Sequence, residues 1–248
     1  MLDTDTNTNI DTRIEDKNQD NSLEELEAMY RAGIHFGYSR SSRHPKMKPF
    51  LYGLKNGVEI FDLEKTISCL KKAEEFLTDL GAKGKLILLV STKSELKDVV
   101  EKAGRELGVP YVLERWLGGT LTNFNVIKKR VAYFKKLCEQ QAAGDFSSLS
   151  KKESSRKDKE LTRLERKLGG FLDLSELPSA LVVVDPKKSK AVVVEAKKVG
   201  IPVVAILSSD CNPEDVEYPV PGNDASSSSV KYFLDKIVSA YKKGIKIT

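Results

Sequence analysis

Three short runs in this chain are apolar at nearly every position and rich in branched side chains: Lys85–Val90 (KLILLV), Ala180–Val184 (ALVVV) and Pro202–Leu207 (PVVAIL). A strand with one wet face alternates polar and apolar residues; these do not, so each must be covered on both faces. Helical patterns follow them. Ser94–Leu107 is closed by Gly108, and Lys190–Val199 is ended by Gly200, the residue that most readily takes the left-handed cap. Pro110–Leu113 reads as a further strand, Glu217–Val220 as a weak one and Ser227–Tyr241 as a final helix. Upstream, Val58–Phe61 reads as a short strand. Leu63–Leu80 reads as an amphipathic helix with Leu63, Ile67, Leu70, Phe76, Leu77 and Leu80 along one side. Alternating strands and helices of this kind specify the α/β class, a doubly wound parallel sheet with helices on each face.

One stretch breaks the alternation. About 65 residues separate the strand at 110–113 from that at 180–184, too many for a single crossover. Ile127, Val131, Phe134 and Cys138 mark one helix in this interval, and Leu161, Leu164 and Leu168 a second. The loop Ala142–Ser150 lies between them, and Ser150–Glu153 (SKKE) is a capping box for the second. Two narrow apolar stripes joined by a short loop predict an antiparallel, coiled-coil-type hairpin. The expected organisation is therefore a body at 22–125 and 170–248 and an inserted hairpin at 126–169. Residues 1–21 form a tail, acidic and without period, that reads as disordered. Ser22–Glu25 (SLEE) is a second capping box, opening a helix that Gly33 ends.

The tail holds six acids against two bases, although the whole chain of 248 residues has a formal net charge of +5. The segment 127–168 holds thirteen bases against six acids, and from Ser39 to Pro49 four bases stand with no acid. A concentrated basic surface calls for a polyanionic partner, nucleic acid first among them, unless these are simply solvated faces. No apolar run approaches bilayer length. The first residues, polar and acidic, do not read as a signal peptide. Three widely spaced cysteines (Cys69, Cys138, Cys211) suit neither a disulfide framework nor a zinc site, and the expected location is a reducing cytoplasm.

Enzyme readings find little support. Neither GxGxxG nor GxxxxGK[ST] occurs, and no GxSxG elbow. Gly118-Gly119 offers either a backbone anion site or a tight turn. His35 and His44 lack metal-ligand spacing, and His35 is expected neutral, hydrogen-bonded within a turn. Asp62, Asp185 and Asp210 each follow a strand. They either gather round a metal or phosphoryl group, as in a soluble ligand-binding or phosphorylation-switch protein, or cap the next helix.

Ala32–Gly37 (AGIHFG), His44–Phe50 (HPKMKPF), Arg115–Phe124 (RWLGGTLTNF), Leu177–Asp185 (LPSALVVVD), Gly200–Ile206 (GIPVVAI) and Pro221–Ala225 (PGNDA) occur in this order. Together they resemble the family of the bacterial-type second protein of the small ribosomal subunit, over roughly Ser22 to Tyr241. The resemblance implies a flavodoxin-like body with a projecting hairpin. It also implies a structural role on 16S ribosomal RNA, help in recruiting the large mRNA-binding protein of that subunit, and neither catalysis nor an obligatory cofactor. The chain departs from the family pattern at Tyr38, where histidine is common, at His44, usually asparagine, and at Ser208–Pro213 (SSDCNP), where the family reads DTNxDP.

Phosphate-directed binding then draws on cations. The candidates are Arg40, Arg43, Lys46 and Lys48 in the Pro45/Pro49 loop, Lys93 after a strand, Arg115, and Lys128, Lys129, Arg130, Lys135 and Lys136 on the first hairpin helix. The second helix adds further bases, and one helix pair cannot turn them all towards a single surface. Trp116 either stacks on a base or anchors its loop to the core. A hairpin that docks a protein instead of RNA is the remaining reading.

Overall fold

The computed structural model describes residues 23–144, 146, 150–172, 174 and 176–247. In chain order the regular elements are α1 (23–31), β1 (Phe36–Ser39), β2 (Leu51–Lys55), β3 (Val58–Phe61), α2 (Leu63–Ala82), β4 (Ile87–Ser91), α3 (Lys97–Leu107) and β5 (Tyr111–Val112). There follow α4 (Phe124–Ala142), α5 (Lys151–Leu168), β6 (Ala180–Val184), α6 (Lys190–Val199), β7 (Val203–Leu207), β8 (Tyr218–Pro221) and α7 (Ser227–Ile247). The tail and the capping box at Ser22 lie outside the described residues.

Five strands form one parallel sheet in the order β5-β4-β6-β7-β8. Every residue of β4, β6 and β7 is buried. Because side chains alternate across a strand, each feeds two cores. Leu88, Val90, Leu181, Val183, Val203 and Ala205 face a core that includes residues of α4, α5 and α6. Ile87, Leu89, Val182, Val184, Val204 and Ile206 face the other, filled by α2, α3 and α7. There α2 and α7 cross with glycines in contact: a Cβ on Gly244 would lie 2.1 Å from the Thr78 carbonyl, and one on Gly81 2.3 Å from that of Tyr241.

Val58–Phe61 is a strand, but it does not belong to the parallel sheet. It is the middle of a separate antiparallel sheet, β1-β3-β2. β2 and β3 are joined at Asn56-Gly57, both with positive φ (51° and 78°), the conformation a tight two-residue hairpin requires.

The inserted segment forms two helices that pack together, with Tyr133 donating to Glu160 at 3.3 Å. Ser150 caps α5: its hydroxyl accepts from the Glu153 N–H, and the Glu153 carboxylate accepts from the Ser150 N–H at 3.2 Å. Ile127, Val131, Phe134, Leu161 and Leu168 are buried and continuous with the core of the sheet.

Candidate nucleic-acid interface

The basic loop leaves β1 at Ser39 and runs through two turns of 3-10 helix, Arg40–Ser42 and Pro45–Phe50. Ser209, at the end of β7, holds it in place. Its hydroxyl accepts from the Tyr38 N–H at 2.8 Å and its carbonyl from the His44 N–H at 2.9 Å. The four bases are not equivalent. Arg43 pairs with the buried carboxylate of Glu59 at 3.1 Å, and Lys46 pairs with Glu214. The loop has no acid of its own, but the fold supplies two from elsewhere, which corrects the expectation of four unmatched charges. Arg40 and Lys48 are exposed and make no ion pair among the described residues.

Lys93 requires a larger correction. It follows β4, the strand at which the order of the sheet reverses, where α/β proteins commonly gather ligands. Instead of facing solvent, it is buried. Its Nζ lies 2.9 Å from Asp185 Oδ2 and 3.0 Å from Asp224 Oδ1, and it also donates to the Asp224 carbonyl. Tyr38 donates to Asp224 Oδ1 at 3.4 Å, closing the group from the β1 side. Burial opposes the lysine's charge, but the Asp224 and Asp185 carboxylates outweigh it and hold the ammonium pKa above its ordinary value. Burial likewise pushes the Asp224 carboxyl up to about 6, against the pull of Lys93.

Asp185, Cys211 and Asp224 bring one potential metal-ligand atom each within 4.8 Å of one another. The Lys93 ammonium already bridges the two carboxylates. Burial, with Asp210 adding to it, pushes the Cys211 thiol up to about 12. The other strand-end aspartates are engaged separately. Asp62 caps α2 and pairs with Lys65, and Asp210 pairs with Lys187. His35 makes no hydrogen bond through Nδ1 among the described residues. Its ring lies flat against Tyr30, centroids 4.2 Å apart, in place of the expected turn contact. Burial, with Lys55 adding to it, lowers its pKa and keeps it neutral.

Arg115 is exposed at the start of the RWLGGTLTN loop. Trp116 beside it is buried, so the indole anchors the loop. The anchor is Glu195 of α6. Its Oε1 accepts from Trp116 Nε1 at 3.0 Å and from the Gly119 N–H at 2.8 Å, and its Oε2 from the Leu121 N–H at 3.1 Å. The backbone N–H groups that might have held a phosphate therefore hold an internal carboxylate. Glu195 was not singled out from sequence. Its one signal is an acid set among Val192, Val193 and Ala196, the buried side of α6.

On α4, Lys128, Lys129, Arg130, Lys135 and Lys136 are all exposed and make no ion pair among the described residues. At roughly 100° per residue they fall into rows: Lys128 with Lys135 on one flank, Lys129 with Lys136 on the back, and Arg130 on the opposite flank. A groove of about 900 Å³ runs beside α5, lined by Lys151, Lys159, Arg163 and Lys167 and bounded by Glu114, which pairs with Arg166 at 3.3 Å.

Fold and site together define an α/β protein whose strand-end crevice is filled by its own ion triad and whose cations are displayed on loops and an inserted helix pair. Among the described residues, no helix is long and apolar enough to cross a membrane. Residues 29–244 match the family model described as Ribosomal protein S2. The chain belongs to that family, one of ribosomal proteins and not of enzymes. Among its relatives, the small ribosomal subunit protein uS2 of Dehalococcoides mccartyi is 40% identical over 215 residues, 87% of this chain and 88% of the relative. That of Geotalea uraniireducens is 39% identical over 219 residues (88% and 86%). That of Coprothermobacter proteolyticus is 41% identical over 219 residues (88% and 82%).

Proposed function

We propose that this chain is a structural constituent of the small ribosomal subunit that binds 16S ribosomal RNA. The observation that carries the reading is a group of exposed cations on the basic loop, the RWLGGTLTN loop and α4 that make no ion pair among the described residues: Arg40, Lys48, Arg115 and the five bases of α4. Folded proteins usually balance charge locally, so unbalanced cations on a family member fit a phosphate-rich partner. Lys93 is withdrawn from the contact set, and Arg43 and Lys46 contribute only by exchanging a carboxylate for a phosphate.

The strand order, with the second strand outside the first, supports a flavodoxin-like body. The pairing of α4 with α5 supports an inserted hairpin at 126–169. Phe36, Tyr52 and Leu54, apolar and exposed on β1 and β2, support contact with a neighbouring protein, consistent with recruitment of the large mRNA-binding protein. The working location is the cytoplasmic ribosome. The test is sedimentation of a lysate through sucrose with detection of this chain. Migration with the small-subunit peak, lost on nuclease treatment, is the expected result. A position at the top of the gradient refutes the proposal.

A further inference from the structure

Between β5 and α4 the chain runs for some ten residues without regular structure, and its backbone donors need partners. Three donors from this stretch converge on one carboxylate, that of Glu195: the Trp116 indole N–H and the N–H groups of Gly119 and Leu121. Glu195 stands on α6, whose buried Val192 and Ala196 fix it to the sheet. Immediately before the clamp, Arg115 leaves for solvent. Immediately after it, the Asn123 N–H donates to the Gly119 carbonyl at 2.8 Å and α4 begins.

We propose that Glu195 is the positioning residue that aims Arg115 and the first turn of α4 at RNA; this rests on the reading of Arg115 as a phosphate contact. The chemistry requires a carboxylate. Both oxygens accept, and each faces only donors, with no acceptor to which an amide NH2 could donate. A glutamine would turn an NH2 towards either Leu121 N–H or the Trp116 and Gly119 pair, setting donor against donor. An alanine would leave all three donors to find other partners. Glu195 need not touch RNA to matter, because the bidentate contact of a guanidinium fork with phosphate is geometrically specific and is strengthened when the backbone that carries it is held in place.

The test uses the full chain and a 16S rRNA transcript, comparing Glu195→Gln, Arg115→Gln and the double variant. Trp116 is the only tryptophan in the chain, so its emission reports directly on the clamp. Arg115→Gln is expected to weaken binding roughly three- to tenfold and to flatten the slope of log affinity against log salt by roughly 0.7–0.9, one phosphate contact. Glu195→Gln is expected to do the same with a shifted Trp116 emission, and the double variant to bind no more than about twofold weaker than either single one. If Arg115→Gln weakens binding and Glu195→Gln does not, the positioning role is refuted while the RNA contact stands. If the two effects multiply in the double variant, Glu195 acts elsewhere and the proposal is overturned. If Arg115→Gln changes nothing, the contact itself is wrong and the inference falls with it. Should Glu195→Gln fail to fold, Trp116→Phe removes one donor while keeping an aromatic ring, and its affinity and salt slope are read against the same outcomes.

Discussion

Replacing Lys93 with methionine removes one charge from a site where two carboxylates depend on it. The Asp224 side chain is 1% exposed and that of Asp185 12%, so water cannot replace the ammonium. Breaking a buried ion pair by deleting one partner costs about 3–5 kcal/mol. For a chain of this size each kcal/mol lowers Tm by roughly 2–4 °C, so the expected drop at pH 8 is roughly 6–20 °C. The sign of the pH dependence follows from Asp224. Its folded pKa, pushed up to about 6, lies above an unfolded value of about 3.9. Proton uptake by Asp224 therefore contributes stability in full below about pH 4, and that contribution disappears as pH rises through 6. Without Lys93 the carboxyl moves higher still, so at pH 5 it is neutral and the variant should lose much less than at pH 8. Adding Asp224→Asn to Lys93→Met should recover part of the loss at pH 8. Thermal unfolding followed by circular dichroism at both pH values measures these differences. Binding of 16S rRNA by the folded variant should keep its salt slope. An unchanged Tm together with a flattened slope would show Lys93 to be a surface RNA contact after all.

Gly244→Ala places a methyl against the backbone of α2, whose atoms lie at 2.1, 2.8 and 3.0 Å from it. It should destabilise by about 1–3 kcal/mol despite its better helix propensity, as measured by urea unfolding. Ser150→Ala removes the hydroxyl half of the α5 capping box, leaving the Ser150 N–H to Glu153, and should cost about 1 kcal/mol, seen as faster amide exchange in the first turn of α5 and unchanged exchange in β6. Arg40→Gln with Lys48→Gln should flatten the salt dependence of RNA binding more than Arg43→Gln with Lys46→Gln. The second pair should instead lower Tm, because it leaves the buried Glu59 unmatched.

What could be read from the sequence was whatever depended on near neighbours. Ala180–Val184 and Lys190–Val199 have the expected bounds, since an all-apolar run and a glycine stop are local signals. β2 escaped notice because Tyr52 to Lys55 are all exposed and leave no apolar pattern, although Asn56-Gly57 is a strong hairpin signal. The site was harder for the same reason. A lysine after a strand reads as surface, and nothing near Lys93 announces a carboxylate 131 residues later. Lys46 finds Glu214 across 168 residues, and Trp116 finds Glu195 across 79. The exposed bases of α4 needed no distant partner, so their exposure could be anticipated.

The position of β4 also bears on how the molecule comes into being. β4 touches β5 early in the chain but meets β6 only on the far side of the two inserted helices. Parallel strands cannot zip from a tight turn, so a growing polypeptide that has emerged as far as α4 owns, besides its small antiparallel sheet, a single parallel pair. The apolar face towards α2 stays open until α7 arrives, when Lys236 reaches back 211 residues to Glu25. Completion of the parallel sheet and of its α2 face therefore waits on residues from the last third of the chain.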